Sequence, residues 1–197
     1  MKQILSLLRR RQGSTSLEFA VVALPLTALL LFTFELSYDL FCQEALDAAL
    51  AAASRQIATG NAQNAQNGAT FVANYLCPDA AGLLACNSNV FIKVQKILPA
   101  SHQDYYNFTD GNVPVVGNTL NLAGYGSADF CNAGPTEMLV ISVIYVGPTF
   151  IGGLFPNILS YRYNGNTVHA TLSTAGIVSE GYPPSGSGNH SNPAPPC

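Results

Sequence analysis

Tryptophan is absent from this chain, and charge is scarce: only 10% of its 197 residues are Asp, Glu, Lys or Arg. Soluble domains usually carry about 25%, so the deficit argues against an ordinary cytosolic surface and for contact with lipid or other protein. Basic residues are scarcer still beyond the first thirteen positions. Lys2, Arg9, Arg10 and Arg11 are four of the eight Lys and Arg, and all eleven Asp and Glu come later. Without residues 1–13, four basic residues face eleven acidic ones, a net charge of −7. Such a chain has no cationic footprint for phosphate backbones, and nucleic acid is not expected as a partner.

Signatures of catalysis and metal binding are missing too. Cys42, Cys77, Cys86, Cys131 and Cys197 form no C-x-x-C pair, and the three histidines, His102, His169 and His190, are scattered, so no metal cluster is expected. There is no nucleophile elbow, P-loop or H-E-x-x-H motif. The expectation is a protein that is not an enzyme, with no catalytic residue, no metal and no cofactor. The remaining catalytic reading is an anchored hydrolase built across the fold around His169. Asp104, Asp110 and Asn112 offer oxygen ligands, but without the spacing of an EF-hand, and read as a solvated loop. Cys77 and Cys86 bracket a short loop with Pro78 and Gly82 and are candidates for a local disulfide, which requires an oxidising compartment; two buried thiols are the alternative. Cys42 reads as a packed thiol.

What is present is concentrated at the N-terminus. Residues 1–13 form a short basic leader ending in Gly13. From Leu17 to Phe34 the chain is almost wholly apolar, with Glu18 its one charge. About 20 helical residues span the hydrocarbon core of a bilayer, so residues 14–35 read as a transmembrane helix. Arg9–Arg11 before it, against Glu35 and Asp39 after it, orient it with the N-terminus cytoplasmic. Glu35 and Asp39 read as solvated residues at the outer interface. A cleaved secretory signal would place small residues after the apolar core, whereas Gly13, Ser14, Thr15 and Ser16 precede it.

Residues 36–60 continue the helix. Residues 36–58 hold no Gly or Pro, and Glu44–Ala58 contains seven alanines. Ala45, Ala48, Ala49, Ala52 and Ile57 are the expected packing face, with Glu44, Asp47 and Arg55 in water. Gly60 is the expected stop, and Pro25 is expected to bend the helix. Residues 61–182 read as a periplasmic α+β domain: a short helix at Ala69–Leu76, then strands around Val90–Gln95, Met138–Val146 and Val168–Ser173, with long loops across 101–136. Residues 183–197 are a low-complexity tail. The fold class is α+β, a long N-terminal transmembrane and extramembrane helix followed by a small antiparallel sheet that its outer half covers on one face.

The segment Gly13-Ser14-Thr15-Ser16-Leu17-Glu18-Phe19 carries the functional reading. A carboxylate inside an apolar span costs roughly 2.5–3.5 kcal/mol on insertion scales and wants a partner. Cleavage after Gly13 would create an α-ammonium on Ser14, which stands at i and i+4 with Glu18 on one helix face. The same two groups, on neighbouring subunits, could set the stagger of a helical stack.

This segment resembles the prepilin motif of type IVb (Tad/Flp) pili, with Glu18 and Phe19 at the fifth and sixth mature positions. The segments 43–49 (QEALDAA) and 53–60 (ASRQIATG), and Cys77 and Cys86 followed by Val90–Gln95, resemble TadE-like pseudopilins. The resemblance implies a pilin-like fold. It also implies processing by a prepilin peptidase and a place as a minor pseudopilin in a Tad/Flp pilus or secretion apparatus. Implied partners are that peptidase, other pilins and pseudopilins, an inner-membrane assembly platform and the lipid bilayer. The implied location is the bacterial inner membrane, or the extracellular filament. The competing reading is an uncleaved, membrane-anchored periplasmic binding module or adhesin.

Overall fold

The computed structural model describes residues 14–65, 67–80, 82, 84–97, 114–126, 137–155 and 160–178. The chain divides into two units, Met1–Tyr38 and Asp39–Cys197. The first element, helix α1 (Ser14–Ala58), begins in the first unit and ends in the second.

In the first unit, almost every side chain from Thr15 to Phe34 is exposed, with Ala23 and Ala28 half-buried. A helix apolar on all faces is stable only in an apolar solvent, and α1 is long and apolar enough to cross a membrane. Its hydroxyls suit that setting. Thr27 donates to the Ala23 carbonyl at 2.6 Å, Thr33 to Leu29 at 2.7 Å and Ser37 to Thr33 at 2.8 Å, so none needs water. The helix continues through Pro25. Contrary to the expected solvated position, Glu35 is fully buried.

In the second unit, α1 buries Cys42, Leu46, Ala49, Leu50, Ala53 and Ile57. These recur at three- and four-residue steps, the period of one helical stripe. Of the expected face, Ala49 and Ile57 are buried, but Ala48 is exposed and Ala45 and Ala52 are only half-buried, so the packing face is rotated from the one expected. The leucines at 46 and 50 carry far more apolar area than alanines and claim the interior. Glu44, Asp47 and Arg55 stay on the exposed side as expected. Gly60 adopts φ +75°, a left-handed conformation that ends helices and that glycine takes without strain.

A short 3₁₀ turn (Asn61–Asn64) leads to α2 (Gly68–Phe71), which runs on through a π turn at Val72–Leu76. Asn67 caps α2 by accepting the Thr70 N–H at 2.8 Å. Helix α3 (Cys86–Asn89) then feeds the sheet. The strands are β1 (Val90–Ile97), β2 (Val115–Val116), β3 (Thr119–Leu120), β4 (Met138–Pro148), β5 (Tyr161–Tyr163) and β6 (Asn166–Val178), in the order β1-β4-β6-β5-β3-β2. The fold is α+β. The sheet is mixed rather than purely antiparallel, because β3 and β5 pair in parallel at Thr119 and Arg162. Strands β2 and β3 fall where only loop was expected, being too short to show a period-2 pattern.

β4 is the central strand. It pairs with β1 from Val90↔Tyr145 to Ile97↔Met138 and with β6 from Met138↔Val178 to Pro148↔Val168. Leu139 to Gly147 are all buried, which accounts for a run in the sequence that is apolar except for Ser142. One face of the sheet carries His169, Thr171 and Ser173 and meets the outer part of α1. The other face packs Ile144 and Val146 against Leu120, Leu122 and Tyr125.

Candidate functional site

The residues singled out at the N-terminus are only partly visible. Gly13 lies outside the described residues. Ser14 is the first residue of α1, and Glu18 follows one turn later on the same helical stripe. Glu18 and Phe19 are exposed. A carboxylate thus sits at the N-terminal end of the apolar stretch, in a segment where Leu17, Phe19, Val21 and Val22 are all exposed.

A second polar constellation went unrecognised in the sequence. Asp39, Gln43 and Asp47 stand at i, i+4 and i+8 on α1 and meet β6 in order. Asp39 Oδ1 is 3.2 Å from Nδ1 of the buried His169. The Gln43 amide donates to both carboxylate oxygens of Asp47, at 3.0 and 3.1 Å, and to the Leu172 carbonyl at 3.2 Å. The Ser173 hydroxyl donates to Asp47. Asp39 is therefore half-buried against a histidine, not free in water. The available signal was the four-residue spacing of polar residues on α1 against polar residues two or four apart on β6. This ladder fixes helix and sheet in axial register, since each rung pairs a higher helix number with an equal or higher strand number.

Along β6, His169 faces Asp39, whereas Ser173, four positions or about 13 Å further along the strand, is bonded to Asp47. His102, His190, Asp104, Asp110 and Asn112 lie outside the described residues. Among the described residues, no three His, Cys, Asp or Glu side chains come together as metal ligands would.

Cys77 and Cys86 are joined by a disulfide, with Cα atoms 5.8 Å apart, inside the ordinary range for such bridges. The bridge closes the loop between the π turn and α3. Cys42 is a buried thiol on α1; Cys131 and Cys197 lie outside the described residues. On the far face, Tyr125 sits under the Lys93 ammonium, 5.8 Å from the ring centroid. Burial raises its phenol pKa above 10.0, and a hydrogen bond with Ser142 offsets part of that rise.

No curated protein and no solved structure matches this chain. A family model described as "TadE-like protein" matches residues 13–55. The matched stretch runs from the glycine before α1 through the polar ladder and most of the buried helical stripe. Similarity to that family over these residues points to the Tad pilus system, and the apolar span within the match fits a membrane anchor. Over this helix, the chain is similar to TadE-like proteins.

Proposed function

We propose that the chain is a minor pseudopilin of a Tad/Flp-type pilus or secretion apparatus, cleaved after Gly13 by a prepilin peptidase. Its work is assembly rather than catalysis. The observation that carries this reading is the placement of Glu18 one turn into a lipid-length helix, at the start of the TadE-like match. Cleavage would leave the Ser14 α-ammonium at i and the Glu18 carboxylate at i+4, opposite charges on one stripe near the cytoplasmic edge of the bilayer. Pairing within one subunit lowers the cost of the buried charge. Pairing between neighbours sets how far one helix is staggered from the next.

In this reading the leader stays cytoplasmic, and residues 39–197 work on the opposite side of the membrane, where the Cys77–Cys86 disulfide is stable. Other pilins and an inner-membrane platform are the partners. The test is the intact mass of the protein from its native membrane. Loss of residues 1–13, with Ser14 as the new N-terminus, is the expected result. A full-length mass in cells with active peptidase would instead make the chain an uncleaved membrane-anchored binding module.

A further inference from the structure

The β5-β3-β2 flank of the sheet carries an open face. Val116 opposes Thr119, Thr119 opposes Arg162 and Arg162 opposes Thr167, so the four side chains form one row on the same side. Their neighbours Val115, Leu120, Tyr161 and Tyr163 turn the other way, into the Leu120–Tyr125 cluster. Val116, Thr119 and Arg162 are exposed. The turn between β4 and β5 presses on the end of this row, where a Cβ at Gly152 would stand 2.8 Å from the Thr167 methyl. The turn is tied down, with the Leu154 and Phe155 N–H groups donating to the Ile151 carbonyl at 2.8 and 2.9 Å. Phe150, Leu154 and Phe155 are nonetheless 65%, 68% and 46% exposed. Single exposed apolar residues are commonplace, but a group of them around one guanidinium marks a contact surface.

Charge says what fits there. Beyond position 13 the chain has four basic residues against eleven acidic ones. Lys96 pairs with Glu137, and Lys93 lies over the Tyr125 ring. Arg162 is exposed and joins no ion pair with another described residue. The complement lies on the same outer unit. On α1, Leu40 and Phe41 are exposed, and Glu44 follows one turn later, also exposed and outside any ion pair with a described residue. Glu44 stands on the side of the helix opposite the buried Leu46 and Ala53, so it points away from the core. An apolar pair beside a carboxylate thus matches an apolar cluster beside a guanidinium.

We infer that the Arg162 row and the adjoining turn receive α1 of a second copy of this chain, with its Leu40 and Phe41 against Leu154 and Phe155 and its Glu44 at the Arg162 guanidinium. Two copies of so acidic a unit repel one another in most orientations, and a lone exposed cation selects the one approach that attracts. The two surfaces differ, so the contact is head-to-tail and can repeat from copy to copy. The inference draws on the outer unit alone and does not depend on cleavage of the leader.

Charge reversal supplies the test. The full chain is expressed in two tagged forms in one membrane and solubilised in mild detergent; capture through one tag and detection through the other reads contact between copies. Each substitution is carried by both forms. Arg162→Glu or Glu44→Arg alone sets like charges together and should lower co-capture about tenfold. The two combined restore an opposite pair and should return it to within about twofold of the wild type. Both residues are exposed, so near-ultraviolet dichroism should not change. Should a reversal disturb the dichroism, Arg162→Gln and Glu44→Gln take its place, each expected to lower co-capture about threefold. Absence of co-capture in the wild type overturns the inference. Single variants at the wild-type level do so too, as does a double variant as weak as the singles. Capture of a different membrane protein in place of the second copy also overturns it. Intact mass is read on the same captured chain, so loss of residues 1–13 without contact between copies would sink this inference and leave the proposed processing standing.

Discussion

Residues 15–34 and residues 39–58 belong to one helix, yet they answer to different solvents. The first stretch is apolar all round and exposed on every side; the second sorts its residues into a buried stripe and a wet one. Backbone geometry is shared, so the difference comes from side-chain pattern alone. An even apolar coat has no preferred face and is satisfied by lipid. A stripe repeating every three to four residues must find a partner surface, and the hydrogen bonds beside it run to β6. The lesson is that helix length in this chain says little about burial, whereas periodicity says a great deal.

The comparison can be broken most completely at Glu18. Glu18→Ala should leave leader removal and the fold of the outer unit intact while abolishing incorporation into the assembled apparatus. Intact mass and recovery of the protein in sheared surface filaments or cross-linked complexes measure the two effects separately. Assembly at wild-type level would end the charge-pair account.

Next in size is a paired truncation. Leu46→Ala, in the fully buried stripe, should cost the outer unit about 2–5 kcal/mol. Leu29→Ala, in the lipid-facing stretch, should leave the thermal midpoint of the same unit unchanged. Near-ultraviolet dichroism of the full chain in detergent reports both. Equal effects would mean that the two stretches do not differ as described.

The third perturbation lies away from the helix. Replacing Cys77 and Cys86 together by serine opens a loop of nine-residue separation, for which chain entropy predicts a loss of about 2.5 kcal/mol. Adding reductant to the wild type should reproduce the shift, and adding it to the double variant should do nothing.

The smallest effect concerns pH. The Tyr125 pKa is raised in the fold, so the unfolded chain ionises first as pH climbs. Its contribution is fully present below pH 10.0 and is lost between that value and the raised one. Denaturant midpoints of the outer unit should fall above about pH 10. In Tyr125→Phe that part of the fall should vanish, at a cost of about 1 kcal/mol at neutral pH for the lost hydrogen bond with Ser142.

The span, the helix end at Gly60, the disulfide and the three long strands were all legible before any coordinates, because each depends on neighbours in sequence. Met138–Val146 is apolar except for Ser142, as suits a strand buried on both faces, and His169 alternates with Val168 and Ala170 along β6. One further signal was there to be used. Asn164 and Gly165, both at positive φ, form the two-residue turn that joins β5 to β6. The short strands β2 and β3 gave no such sign, since two residues carry no period.

Sequence by itself determined that this chain has a lipid-length apolar stretch with one carboxylate near its N-terminal end, a basic segment before Gly13 and an acidic remainder. Those properties are sums and spacings along a line, and no folding can alter them. Tertiary structure decided which stripe of the helix beyond Asp39 is buried, and that Asp39 meets His169 and Asp47 meets Ser173. The two pairs join residues more than a hundred positions apart, beside a helical stripe that buries Leu46 and Leu50. That choice rests on side-chain volume in three dimensions, which a one-dimensional pattern does not contain.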